Sequence, residues 1–233
     1  MNTKRTLSII LRRINYGEAD RILTLLTRDY GKISVIAKGV RKEKSKLAGG
    51  IELFSESDIS YLPGKTDLST LVSTQLIRHF GNIHTHLDRM KVASEFLKRI
   101  DHVTENETSS DYYDLVIDMF VCMNTQKIPI SLVEAWSMMR LMFLMGEVIN
   151  VEEDATGNEF SDNIKYRFSY EDSRFVVDSN GDVEPQIIKF LRLLATESPA
   201  RLMAIKDIHS ISEQSNNLLK LAYLYSRPNL MHT

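Results

Sequence analysis

The chain has 233 residues, 43% of them hydrophobic and 26% charged, which is typical of a globular protein and excludes a disordered or fibrous one. Its single cysteine, Cys122, excludes an intramolecular disulfide and any multi-cysteine zinc site, and is most simply a small core residue. Residues 1–80 hold 14 Lys or Arg and 8 Asp or Glu (+6), whereas residues 81–233 hold 15 and 23 (-8), so the N-terminal part favours an anionic partner such as nucleic acid.

The first 80 residues predict five strands. Alternating apolar residues predict strands over 7–12 and 32–40, the latter with Ile33, Val35 and Ala37 on one face, and the apolar run RILTLLT predicts another over 21–27. Residues 41–50 have no periodicity, paired glycines and four cations, and therefore predict a mobile loop. Runs rich in strand-forming residues predict two more strands, over 54–62 and 68–77. Five strands with such a loop favour the oligonucleotide-binding (OB) fold, a small barrel whose strands 2 and 3 suit an extended single strand.

After residue 80 the apolar period changes to three or four residues, which is typical of helices. The sequence predicts helical stripes over 87–100, 113–121, 132–143, 187–195 and 218–225, with Pro129 and Gly146 at the ends of the third. A short β-hairpin is predicted at about 164–179. The expected fold class is therefore α+β, with an OB barrel over residues 1–80 and a helical domain with a hairpin insert over residues 81–233.

The basic side chains of the N-terminal part are concentrated between residues 12 and 46 and outnumber the acids there. The candidate nucleic-acid-binding residues are Arg12, Arg13, Arg21, Arg28, Lys32, Lys38, Arg41, Lys42, Lys44 and Lys46. Binding of single-stranded nucleic acid needs cations for the phosphates and aromatic rings for the bases, for which Tyr16 and Tyr30 are candidates. The alternative is that the cations only keep a small barrel soluble. This explains any single Lys or Arg well, but it does not explain why ten of them are concentrated in one segment.

Candidate catalytic and metal sites are weak. Gly64-Lys65-Thr66 imitates the end of a phosphate-binding loop, but Ile59 occupies the position of the required upstream glycine. His84 and His86 have no third ligand nearby, and no nucleophile motif is present. We therefore expect no enzymatic activity, metal, cofactor or small-molecule substrate. The methionines around Trp136 favour a helical core over a partner-binding groove.

No segment of the sequence approaches the roughly 18 to 20 continuous apolar residues of a membrane helix, and the N-terminus lacks the apolar core of a signal peptide. We therefore expect no membrane partner. The expected location is the cytoplasm.

The motifs of the N-terminal part resemble the N-terminal domain of the bacterial DNA repair family RecO. The resemblance lies in the run YGEADRILTLLT from Tyr16 to Thr27, in YGKI from Tyr30 to Ile33, in AKGVRK from Ala37 to Lys42 and in Ser45-Lys46-Leu47. The segment WSMMRLMFLMG, from Trp136 to Gly146, resembles that family's helix before its central insert.

The resemblance implies a recombination mediator that binds single- and double-stranded DNA and anneals complementary strands, without enzymatic turnover. It also implies that the protein, together with its partner RecR, helps load RecA onto strands coated by single-strand-binding protein. When DNA is bound, the protein is expected to associate with the nucleoid. The implied DNA-contacting surface consists of Lys38, Arg41, Lys42, Lys44 and Lys46, with Arg21 and Lys32 on adjacent strands.

The predicted hairpin departs from the family pattern. Many family members bind zinc through two cysteine pairs in this insert, whereas here it contains no cysteine, so zinc is excluded by ligand count. Packing of side chains is expected to hold the hairpin instead, the candidates being Tyr166, Phe168, Tyr170, Phe175 and Val177. Two other classes of function stay open: an adaptor whose barrel grips an acidic peptide, and an RNA-binding factor.

Overall fold

The computed structural model describes residues 2–104 and 109–227 and has the predicted α+β class, with a closed five-stranded barrel followed by helices. The strands of the barrel are β1 (Lys4–Tyr16), β2 (Asp20–Thr27), β3 (Gly31–Ala37), β4 (Ser55–Leu62) and β5 (Leu68–His79). The helices are α1 (Gly81–His84), α2 (Leu87–Val103), α3 (Ser110–Asn124), α4 (Ile130–Leu144), α5 (Pro185–Thr196), α6 (Pro199–Leu202) and α7 (Ile208–Tyr225). The hairpin strands are β6 (Tyr166–Ser169) and β7 (Arg174–Val177).

The chain forms two compact units, Met1–Thr125 and Gln126–Thr233. The first contains the barrel and α1 to α3, and the second contains the hairpin and α4 to α7. The predicted domain boundary between residues 80 and 81 lies at the junction of β5 and α1, and it stays a prediction.

The barrel closes in the order β1-β2-β3-β5-β4, with β3 and β5 parallel and the other pairs antiparallel. Strand β1 serves two neighbours, because Lys4 to Ile9 pair with β4 and Ser8 to Tyr16 pair with β2. A bulge between Ile10 and Arg12 lets the strand bend between them. As a result β1 continues to Tyr16, beyond its predicted end, and the chain turns at Gly17, where φ is +55°.

Inward side chains fill the barrel and include Ile10, Leu23, Leu25, Val35, Ala37, Ile59, Tyr61 and Leu71. The predicted inward face of the third strand is thereby confirmed, with Ile33 packed against the same core. Thr24 and Leu26 point outward, yet both are buried, because α2 packs against β1 and α3 packs against β2. Part of the outer face of the barrel is therefore covered by helices.

Helix α4 is the apolar centre of the second unit and packs against α5 and α7. Met138, Met139 and Met142 are buried there, so the methionines form core rather than an open groove. Helix α7 begins at Ile208, ten residues before its predicted start at Leu218. The buried face of its first half carries Ser212, a polar residue that interrupts the apolar period.

Aromatic rings hold the β6-β7 hairpin. The ring centroid of Phe175 lies 4.9 Å from that of Phe168 and 5.6 Å from that of Phe160, a residue that the sequence did not single out. The rings of Phe160 and Tyr166 are 5.1 Å apart, whereas Val177 is exposed and stays outside the cluster. Among residues 2–104 and 109–227, no group of His, Cys, Asp or Glu is arranged to hold a metal ion.

Candidate nucleic-acid interface

The β1-β2 turn and the loop after β3 lie together at one end of the barrel. The backbone N–H of Arg41 donates to the carbonyl of Ala19 at 2.9 Å, and the N–H of Gly39 donates to Asp20 Oδ1 at 2.7 Å. Arg41 Nη1 also donates to the carbonyl of Gly17 at 3.3 Å. These bonds arise because antiparallel pairing brings the start of β2 beside the end of β3. They fix the base of the loop to the hairpin.

The loop, residues 38–46, carries the densest group of cations and is called the basic loop below. Its exposed cations are Lys38, Arg41, Lys42, Lys44 and Lys46. Within the part of the chain that the structure describes, none of the five has a carboxylate oxygen within 4.0 Å. The Asp20 carboxylate beneath them is bound to a backbone N–H instead. The basic loop therefore presents positive charge that an external anion can neutralise.

Four of the ten predicted cations are in ion pairs. Asp101 on α2 lies 3.1 Å from Lys32 Nζ and 3.8 Å from Arg12 Nε, and Lys32 Nζ also donates to the carbonyl of Asp101. Arg28 lies 3.9 Å from Asp114 on α3, and Arg13 lies 3.7 Å from Glu52. Arg12, Lys32 and Arg28 thus connect the barrel to its helices.

Arg21 and the two candidate tyrosines take different positions. Arg21 pairs with Ala37 across the strands, near the basic loop, and its Nε donates to Asn15 Oδ1 at 3.2 Å. Tyr16 is 55% exposed at the same end of the barrel. Tyr30 lies at the other end of β2, about 20 Å away by strand length, where Lys4 Nζ sits 4.2 Å from its ring centroid. Of the two rings, Tyr16 is the one beside the basic loop.

A buried carboxylate on β4, Glu56, was missed by the sequence analysis. Its Oε1 accepts a hydrogen bond from the Tyr113 hydroxyl at 2.7 Å, and its Oε2 accepts one from Arg78 Nε at 2.5 Å. Burial opposes ionisation of Glu56, but the hydrogen bonds from Arg78 and Tyr113 and the charge of Arg78 outweigh it and lower the carboxyl pKa. Burial and then the bond to Glu56 raise the pKa of Tyr113, which therefore stays a donor. The three side chains connect β4, β5 and α3.

The weak catalytic candidates lie on different elements of the fold. Gly64, Lys65 and Thr66 lie between β4 and β5. His84 Nε2 is 3.1 Å from the carbonyl of Leu53. Burial, followed by the charge of Asp118, raises the pKa of Cys122 to about 11, so its thiol is protonated at neutral pH.

Helices that would be long and apolar enough to cross a bilayer are absent from residues 2–104 and 109–227.

The barrel and its basic loop define an OB-fold protein with a cationic surface at one end. The family described as recombination protein O N terminal matches residues 1–80. Two relatives are each called DNA repair protein RecO. The one from Acetivibrio thermocellus is 33% identical to this chain over 63% of its residues, and the one from Heliobacterium modesticaldum is 36% identical over 50% of them. A third, from Alkaliphilus metalliredigens, is 27% identical over 91% of this chain and 85% of its own length. Residues 1–80 therefore match the N-terminal domain of the RecO family, and the three relatives confirm the resemblance to that family.

The matched regions differ in extent. The chain spans about half the length of the first two relatives, at 58% and 42% of their residues.

Proposed function

We propose that this protein acts in DNA repair as a recombination mediator that binds DNA through the basic loop. The observation that carries the proposal is the group of five exposed cations at one end of an OB barrel, which have no carboxylate partner among residues 2–104 and 109–227. The relatives' name, DNA repair protein RecO, supports the repair role.

The ion pairs reduce the proposed DNA-contacting set from ten residues to those of the basic loop, with Arg21 beside it. When a phosphate displaces Asp101 or Asp114 from a cation, the counterion released by the DNA is offset by one that the freed carboxylate takes up. Such a cation therefore adds nothing to the salt slope. If the five cations of the basic loop each contact a phosphate of single-stranded DNA, log K falls with log salt concentration with a slope of about -3.5. Binding is then strongly salt-dependent and weakly selective for sequence.

Annealing follows from the same electrostatics. Two complementary strands repel each other through their phosphates, and cations that neutralise part of that charge bring the strands together. A loop that contacts phosphates leaves base edges available for pairing. No turnover chemistry is required, so the proposed mediator is not an enzyme.

Partners and location are proposed from the family alone. The proposed partners are single- and double-stranded DNA, RecR and single-strand-binding protein, with RecA loading as the outcome. The proposed location is the cytoplasm, and the nucleoid when DNA is bound.

The decisive experiment compares two variants of equal charge. In the loop variant, Lys42, Lys44 and Lys46 are changed to Ala, and in the control variant Lys65, Lys91 and Lys98, which are also exposed, are changed to Ala. Fluorescence anisotropy with a labelled oligothymidylate at several salt concentrations measures the slope. We expect the loop variant to lose about 2.1 from the slope, three contacts at about 0.7 each, and the control to keep it.

Each contrary result has a definite meaning. Equal losses in both variants would show that net charge, not the basic loop, determines binding. No loss in either would remove the proposal. Tighter binding of an RNA of equal sequence, or displacement of DNA by an Asp-rich peptide, would favour the RNA-binding or adaptor function instead.

A further inference from the structure

Three isoleucines form a row across the outer face of the barrel. Strand pairing sets Ile14 on β1 opposite Ile22 on β2, and Ile22 opposite Ile36 on β3. Their sequence neighbours Leu23 and Val35 point into the core, so the isoleucines point outward. Ile14 is 51% exposed, and the other two are partly exposed. This isoleucine row is about 10 Å wide, two strand spacings.

The surroundings of the isoleucine row are charged on two sides. Toward the end of the barrel lie the ring of Tyr16, which stands opposite Asp20, and Lys38, which directly follows β3. In the other direction Arg12 stands opposite Thr24, and there the face passes under α2 and α3. On β1, β2 and β3 the uncovered apolar surface therefore consists of the isoleucine row and Tyr16, and on β5, the neighbour of β3, Val72 is also 48% exposed. The isoleucine row with Tyr16 is continuous with the basic loop.

We infer that the isoleucine row and Tyr16 form the base-contacting floor of the DNA site, which selects single strands over duplex. This inference rests on the proposed function and deepens it. A ligand that fits an apolar floor beside exposed cations must present apolar faces and negative charge together. Unpaired bases with their phosphates do so, because every base has a stacking face that is free in a single strand.

Duplex DNA uses the two parts of the site unequally. Its bases are stacked inside the helix, so it reaches the cations of the basic loop but cannot lay base faces on Ile14, Ile22 or Ile36. Apolar contacts add affinity without releasing counterions. The isoleucine row therefore changes the affinity for single strands without changing the salt slope, whereas the loop lysines change the slope for both forms of DNA.

Three probes test this division: oligothymidylate, an abasic strand of equal length, and a duplex. The variants are Tyr16→Ala and the double change Ile14→Thr with Ile36→Thr, in which threonine keeps the β-branched shape that strands favour. The control is Val121→Thr on α3, an apolar residue with a similar exposure of 44%. Thermal unfolding of each variant verifies that the barrel is intact.

We expect Tyr16→Ala to weaken oligothymidylate binding about fivefold or more, the lower end of the effect of losing one base–aromatic contact. The isoleucine double variant should weaken it about threefold or more, the effect of losing apolar contact worth roughly one buried CH2. The abasic strand, the duplex and the salt slope should be unchanged, and the control should match the parent protein. Unchanged oligothymidylate affinity, or an equal loss for the abasic strand, would overturn the inference. If the loop variant still lowers the slope in that case, the proposed function stands and the base-contacting floor alone fails. If the loop variant has no effect either, both fail.

Discussion

Removal of one hydroxyl, by Tyr113→Phe, tests whether the buried Glu56 carboxylate connects α3 to the barrel. The Tyr113 hydroxyl donates to Glu56 Oε1 at 2.7 Å, and without it a buried ionised oxygen loses its donor. A hydrogen bond to a charged group contributes about 1.5 to 3 kcal/mol, and we expect a loss of that size in the free energy of unfolding at pH 7. Tyr61→Phe is the control, because the Tyr61 hydroxyl makes no hydrogen bond among the residues that the structure describes.

The stability lost in Tyr113→Phe should also depend on pH. The folded protein lowers the pKa of Glu56, so the stability from its ionised form is complete above the unfolded pKa and is lost as pH falls through the folded pKa. Tyr113→Phe removes one of the bonds that lower this pKa. The deficit of the variant should therefore be full at pH 7 and shrink as the pH falls through the folded pKa of Glu56, which in the parent lies below the ordinary value.

The assay must report the correct unit. The single tryptophan, Trp136, lies on α4 in the second unit, so its fluorescence reports on that unit. Amide hydrogen exchange in β4 and β5, measured in the full chain, gives the local stability directly. A loss under about 0.5 kcal/mol at pH 7, or a deficit that grows as the pH falls, would refute the reasoning.

Two further predictions concern an ion pair and the aromatic cluster. Asp101→Asn should free the exposed Arg12, while the backbone carbonyl of residue 101 still accepts the hydrogen bond from Lys32. The salt slope for oligothymidylate binding should then become steeper by up to about 0.7. An unchanged slope would mean that the DNA does not reach Arg12. Phe175→Ala removes a fully buried ring from the hairpin and should cost about 3 to 5 kcal/mol in urea unfolding followed by Trp136 fluorescence. A cost under about 1 kcal/mol would show that the ring cluster does not stabilise the unit.

The strands and most helices could be predicted because their patterns are local. A strand with one face in a core alternates every second residue, and in β3 this pattern gave the correct inward residues Val35 and Ala37. Helix α4 was predicted between Pro129 and Gly146 and runs over Ile130–Leu144. Where the alternation is interrupted, the prediction was wrong: the bulge between Ile10 and Arg12 breaks the period, so β1 was predicted to end at residue 12 instead of at Tyr16.

The candidate site was less predictable because side-chain pairing is not local. Lys32 and its partner Asp101 are 69 positions apart in sequence. The sequence therefore did not reveal the ion pair, and Lys32 was predicted to be available to DNA. The outward isoleucines were also invisible as a group, since Ile14, Ile22 and Ile36 become neighbours only when three strands are in register. The basic loop, by contrast, is contiguous in sequence and could be identified from its charge alone.

The division of β1 between two partners has a consequence for how the barrel is made on the ribosome. Lys4 pairs with Tyr61, so the first half of β1 has no neighbour until the fourth strand has been synthesised. At about 5 to 20 residues per second, the nascent N-terminus waits roughly 3 to 11 s with its strand edge open. The hairpins that β2 makes with β1 and β3 need no such delay, and closure of the barrel is therefore necessarily among the late events of its biogenesis.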